Sequence, residues 1–137
     1  MSATEHINLW LNNYGRQMGT PLSLQQGVCA LANHKQQQIA VVEVPGAGDA
    51  VVLHCSLGTL DESQSARHLR TLLALNFELD AMRGCWLALD GEEQLRLTLQ
   101  FPVEALDENR FITLLQAFIQ QSDEVKTFLK SLAQQAT

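Results

Sequence analysis

The sequence predicts a small α+β domain in which an antiparallel sheet is packed by helices, in the order α-β-β-β-α-β-β-α. Three observations carry this expectation. Apolar residues recur at helical spacing near the start, in the middle and at the end of the chain. Three short runs rich in apolar and β-branched residues, separated by turn residues, lie between the first two helical stretches. Between the last two, residues 85–89 and the alternating Leu95, Leu97, Leu99 and Phe101 flank Asp90-Gly91, a pair suited to the positive φ that a tight hairpin turn requires. The length of 137 residues suits a single domain over 1–137, large enough for one modest core and too small for two.

Taken in order, Ser2 followed by Glu5 has the form of a capping box, and Ile7, Leu11, Tyr14 and Met18 continue as a helical stripe. Gly15 and Gly19 mark its end. Leu9 falls nearly opposite Ile7 and Leu11 at about 100° per residue, and Trp10 also lies off the stripe. Both are therefore read as surface positions. Gly19-Thr20-Pro21 breaks the helix, and strands are expected over 27–33, 38–44 and 50–57. The punctuation Asn33-His34-Lys35 and Pro45-Gly46-Ala47-Gly48-Asp49 is short enough to make this an antiparallel meander. The second of these loops is no phosphate loop: it lacks the Gly-Lys-Ser/Thr ending and leads into a strand.

Asp61 with Gln64 three residues later predicts the start of the middle helix, on which Ala66, Leu69, Leu72, Leu73 and Asn76 share one face. Asn76 either caps that helix and its local backbone or makes a polar contact across an interface. In the first strand of the hairpin, Cys85, Leu87 and Leu89 point one way and Trp86 and Ala88 the other, so both faces are apolar. One domain core can cover only one of them. A two-residue loop would put Trp86 and Ala88 on the face of Leu95 and Leu97, whereas an odd loop would put Leu87 and Leu89 there. Leu106 and Phe111 flank Asp107 as a hydrophobic staple, making Asp107 the cap of a last helix with the stripe Phe111, Leu114, Leu115, Phe118, Val125, Phe128, Leu129 and Leu132. Fraying is expected at residues 134–137.

Composition narrows the function. The net charge of −6 lacks the basic clustering of a nucleic-acid binder. Cys29, Cys55 and Cys85 are odd in number, far apart and set in apolar runs, as buried thiols in a reducing compartment are. No leader-like segment and no run of membrane-spanning length is visible, so a soluble cytoplasmic protein without membrane insertion is expected. His6, His34, His54 and His68 have no metal-ligand spacing. His54 and Cys55 are adjacent on a strand and must face opposite sides, so they cannot act as a base–nucleophile pair. The paired carboxylates lie at turns and helix starts. No enzyme, metal or cofactor is expected.

Leu72-Leu73-x-Leu75-Asn76 closing a helix, followed by Gly84-Cys85-Trp86-Leu87-Ala88-Leu89-Asp90, resembles the class I type III secretion chaperones of the Tir chaperone family. Leu95-x-Leu-x-Leu-x-Phe101-Pro102, a link through Leu106 and the helix with Leu114-Leu115-x-x-Phe118 are similar to the rest of that pattern. The resemblance implies a type III secretion chaperone-like, homodimeric fold whose seam maps onto Leu69, Leu72, Leu73, Asn76, Trp86 and Leu87. It further implies a cytoplasmic protein of a Gram-negative bacterium with a part in virulence. Such a protein binds the N-terminal segment of a secreted effector in extended form, keeps it soluble and surrenders it at the secretion ATPase. For the effector surface, the apolar positions Leu9, Trp10, Val28, Leu31, Val42 and Val44 are expected. The alternative is a non-catalytic dimeric adaptor that binds a folded partner.

Overall fold

A strand that alternates apolar and polar residues needs a covering layer on one side, and two helices supply it here. A computed structural model describes residues 1–46 and 48–135, with Gln135 by its backbone only. The elements are α1 (Ala3–Met18), β1 (Val28–Ala32), β2 (Gln38–Glu43), β3 (Ala50–Thr59), α2 (Ala66–Leu75), α3 (Leu79–Met82), β4 (Trp86–Leu89), β5 (Gln94–Pro102), a 3-10 turn (Val103–Ala105) and α4 (Glu108–Gln135). The five strands form one antiparallel sheet in the order β1-β2-β3-β5-β4. The meander β1-β2-β3 agrees with the sequence reading. The hairpin partner β4 lies at the edge, because β5 pairs with β3 from Ala50↔Pro102 to Thr59↔Gln94.

One face of the sheet is dry. Val42, Val51, Leu53, Cys55 and Leu97 point from it into a core closed by Ile7, Trp10 and Leu11 of α1 and Phe111, Leu115 and Phe118 of α4. Trp10 and Phe111 meet with ring centroids 5.8 Å apart, an edge-inclined contact of the kind aromatic quadrupoles favour. The other face carries the polar alternates, among them Glu43, His54 and Arg96.

The helix ends follow local chemistry. The Ser2 hydroxyl accepts from the Glu5 amide at 3.1 Å and the Glu5 carboxylate accepts from the Ser2 amide at 3.2 Å, which completes the expected capping box. Asp107 accepts from the Arg110 amide at 2.8 Å, as its reading as the cap of α4 requires. The start of α2 differs from expectation: Ser65, not Asp61, caps it by accepting from the His68 amide at 3.1 Å. Asp61 is used instead in a tight turn, where its carboxylate accepts from the Ser63 amide at 2.9 Å. The short α3 was not anticipated. It is tied to α4 by Gln121, whose amide nitrogen donates to the Ala81 carbonyl at 2.7 Å. At the C-terminus, α4 extends through Gln135, and Ala136 and Thr137 of the segment expected to fray lie outside the described residues.

The hairpin takes the odd register, with Leu87↔Leu97 and Leu89↔Leu95. Its turn conformation is a correction. Glu93, at φ 61°, takes the left-handed position rather than Gly91. The Asp90 carboxylate holds the loop by accepting from the amides of Glu92 at 2.8 Å and Gln94 at 3.0 Å, a local side-chain bond that stands in for backbone pairing.

Within the chain, the Asn76 side chain pairs with backbone, that of Leu87. Its side-chain oxygen accepts from the Leu87 amide at 2.8 Å, and its nitrogen lies 3.4 Å from the Leu87 carbonyl. A carboxamide has the donor and acceptor of a peptide group, so Asn76 occupies the open edge of β4 as one residue of a neighbouring strand would. At the other end of the chain, Gly15 is a close-approach position inside α1. A Cβ there would run into the Thr20 carbonyl oxygen and lie 2.8 Å from the Leu22 amide nitrogen, because the chain folds back over α1 after the left-handed cap at Gly19.

Two outcomes are expected. Gly15→Ala should lower the unfolding free energy, measured by urea denaturation, by roughly 1–3 kcal/mol from overpacking, against the ~1 kcal/mol that Ala ordinarily adds in a helix; a more stable variant would contradict the packing. Asn76→Ala should cost about 1–2 kcal/mol and speed hydrogen exchange at the Leu87 amide while leaving β5 protected. Unchanged exchange at Leu87 would show that the latch does not hold the edge.

Candidate functional site

The surface departs from an ordinary soluble exterior in one region. Six of the ten exposed large apolar side chains among the described residues are Leu69, Leu73, Phe77, Leu79, Trp86 and Leu89, all within 69–89. Scattered exposed leucines are normal, but this concentration around one helix and one edge strand is a feature of surfaces that become covered. Leu73 and Phe77 are 70% and 82% exposed. Local sequence explains the display: α2 is amphipathic, yet Leu72 is its single buried residue, so most of its apolar stripe has no cover within the chain. The Asn76–Leu87 latch fastens the end of α2 to β4.

The residues expected at the dimer seam divide accordingly. Leu69, Leu73 and Trp86 present exposed side chains. Leu72 and Leu87 are buried in the core, and Asn76 is occupied by the backbone of Leu87. Phe77, Leu79 and Leu89, outside the expected set, are exposed beside them. Phe77 and Leu79 follow the expected stripe without a break, so their apolar character was the available signal.

The residues expected on the effector surface are placed differently from that reading. Leu9 is exposed and Val28 is half-buried. Trp10, Leu31, Val42 and Val44 are each less than a tenth exposed and belong to the core. Their expected exposure is corrected for geometric reasons. Trp10 is three residues from Ile7 and lies only about 60° from it around the helix, within a normal buried stripe. Leu31 alternates with Cys29, and Val42 and Val44 with Ala40, toward the helix-covered side.

A polar ladder crosses the helix-free face of the sheet. Arg96 donates from Nε to His54 Nδ1 at 3.1 Å and from its outer nitrogen to Asp90 at 3.3 Å, while His54 Nε2 lies 3.8 Å from Glu43. Burial, reinforced by the Arg96 charge, holds His54 below the ordinary imidazole range, against the opposing pull of Glu43. A neutral His54 is what the Arg96 donation requires. Cys55 points to the opposite, covered face. Burial raises the Cys29 and Cys55 thiols, and burial with the neighbouring Cys55 pushes Cys85 up to about 11. The thiols are therefore protonated near neutral pH and poor nucleophiles. No group of three or more His, Cys, Asp or Glu side chains arranged to hold a metal occurs among the described residues. None of the described helices is long and apolar enough to cross a membrane.

Comparison with known proteins places this architecture. In the ExsC–ExsE complex, one chain superposes with a TM-score of 0.75 at 15% identity, covering 93% of this chain and 96% of that one. The HopA1–SchA chaperone–effector complex gives 0.68 at 16% identity, covering 91% and 93%. The ExoU–SpcU complex of the type III secretion system of Pseudomonas aeruginosa gives 0.63 at 17% identity, covering 88% and 95%. Identities this low speak for the fold alone. No curated protein sequence matches. The family model of the Tir chaperone protein (CesT) family, however, matches residues 10–126, a span that contains the whole sheet, α2 and most of α4. The chain belongs to the Tir chaperone protein (CesT) family.

Proposed function

We propose that this protein is a cytoplasmic type III secretion chaperone that acts as a homodimer, without catalysis. It binds the N-terminal segment of a secreted effector in extended form, keeps that segment soluble and releases it at the secretion ATPase. The observation that carries the reading is the family match over residues 10–126. The similar folds in the HopA1–SchA chaperone–effector complex and in ExoU–SpcU support it. The raised thiol pKa values and the opposed directions of His54 and Cys55 favour a binding role over a catalytic one.

The dimer reading has a physical basis in the open face of α2 and β4. Leu69, Leu73 and Trp86, joined by Phe77 and Leu79, are the apolar groups a second copy would cover, and each is a surface position in the single chain. Leu72, Asn76 and Leu87 take the supporting part. They fix α2 against β4 and so set the shape of the seam. For the effector, Leu9 and Val28 remain available, with Trp10, Leu31, Val42 and Val44 forming the packed layer beneath them. β1 is an edge strand of the sheet, which suits strand addition by an extended segment.

Affinity purification of the tagged protein from its native cells, with intact-mass measurement and limited proteolysis, tests the function. Two copies should emerge with one larger protein whose labile N-terminal stretch is protected. Isolation alone, or with a fully folded enzyme that gains no protection, would overturn the reading. Leu73→Asp tests the seam separately. Leu73 is 70% exposed in the single chain, so the variant should fold normally. Burying its carboxylate in an apolar seam should cost roughly 3 kcal/mol, about a hundredfold in the dimer dissociation constant. A variant that sediments as an unchanged dimer would remove Leu73 from the interface.

A further inference from the structure

A cavity of about 560 Å³ lies between the far end of the sheet, the start of α2 and the C-terminal half of α4. Its apolar lining includes Leu57, Leu129 and Leu132, and its charged or titratable lining consists of His68, Lys126 and Lys130. The charge pattern is unusual for this chain. Two of its three lysines line the cavity, whereas none of its fifteen Asp and Glu residues does so. The first turn of α2, which begins at the lining residue Ser65, also contains no acidic side chain to offset the positive end of the helix dipole.

A second cavity, of about 430 Å³, lies between α3 and the other side of α4 and has the opposite character. It is also apolar, but its charged lining is Glu78, Asp80 and Glu124 against Arg83 alone. The C-terminal half of α4 therefore separates two apolar recesses of opposite sign. A cationic partner segment would be drawn to the α3 side and repelled from the Lys126–Lys130 side, and an acidic one would be sorted in the reverse sense.

We infer that the recess at Lys126, Lys130 and His68 seats an acidic stretch of the bound effector segment, with aliphatic side chains entering between Leu57, Leu129 and Leu132. The inference rests on the effector-binding reading and adds the chemistry of one contact. The aliphatic groups supply the buried area, and the carboxylates meet the lysines at the water-exposed margin. Charge at such a margin contributes mainly selectivity and association rate. The recess borders α2 at His68, but none of Leu69, Leu73, Phe77, Leu79 and Trp86 lines it.

The test uses the full-length protein and two fluorescein-labelled peptides, one alternating Asp and Leu and the other alternating Lys and Leu, followed by fluorescence polarisation. The Asp/Leu peptide should bind, and rising salt should weaken it because the lysine contacts are screened. The Lys/Leu peptide should not bind at this recess. Lys126→Glu/Lys130→Glu, with its fold checked by circular dichroism, should lower the Asp/Leu affinity on the order of tenfold at low salt. The charge reversal at Glu78→Lys/Glu124→Lys, in the opposite recess, should leave that affinity unchanged. Absence of Asp/Leu binding, equal binding to the Lys126/Lys130 variant, or equal loss in the Glu78/Glu124 variant would each overturn the inference. These results are distinguishable from failure of the chaperone reading, which appears as the absence of a protected partner from native cells whatever the peptides do.

Discussion

The pairing of β3 with β5 governs the rest of the molecule. It is the longest ladder in the sheet, running from Ala50↔Pro102 to Thr59↔Gln94, and it joins segments separated by the whole of α2, α3 and β4. Once β5 is beside β3, its hairpin partner has only the outer position left. β4 becomes a four-residue edge strand, and an edge has unpaired amides and carbonyls that invite pairing with another chain. Asn76 covers this edge at Leu87 with its own carboxamide. The same contact ties the end of α2 to β4, so both apolar segments are anchored at this edge. Central pairing, edge protection and the display of Leu69, Leu73 and Trp86 are linked consequences of one strand order.

Cover is distributed unequally around this sheet. α1 and α4 meet over one face through Trp10 and Phe111 and leave its apolar side chains almost fully buried. On the opposite face, the chain relies on Glu43, His54, Arg96 and Asp90, whose hydrogen bonds and charges tolerate water. A polar ladder keeps that side from presenting a continuous sticky sheet. Most of the large apolar groups that remain open lie at α2, α3 and β4, with Leu9, Met18 and Phe128 exposed elsewhere, a concentration that favours one defined association over nonspecific collapse.

Much of the architecture is legible in local sequence because its signals are short-range. The capping box at Ser2 and Glu5, the cap at Asp107 and the alternation of Leu95, Leu97 and Leu99 each act within a few residues, and each appears as expected. Other features depend on competition that a pattern does not rank. Asp61 and Ser65 are both competent caps, and Asp61 is taken by its own turn with Ser63. Gly91 looks like the flexible turn residue, yet the Asp90 carboxylate gathers the amides of Glu92 and Gln94 and moves the left-handed conformation to Glu93.

The sequence by itself determined the element order, the meander and the apolar stripes of α2 and β4 that exceed what one core can cover. Periodicity and turn chemistry are written into neighbouring residues, so these features require no knowledge of distant contacts. Tertiary structure alone decided the β3–β5 neighbour relation, the odd hairpin register and the role of Asn76 at Leu87. It also decided that Trp10, Leu31, Val42 and Val44 face the core while Leu9 does not. Those outcomes depend on which apolar face meets α1 and α4, and burial is a property of the assembled layers that no single segment contains.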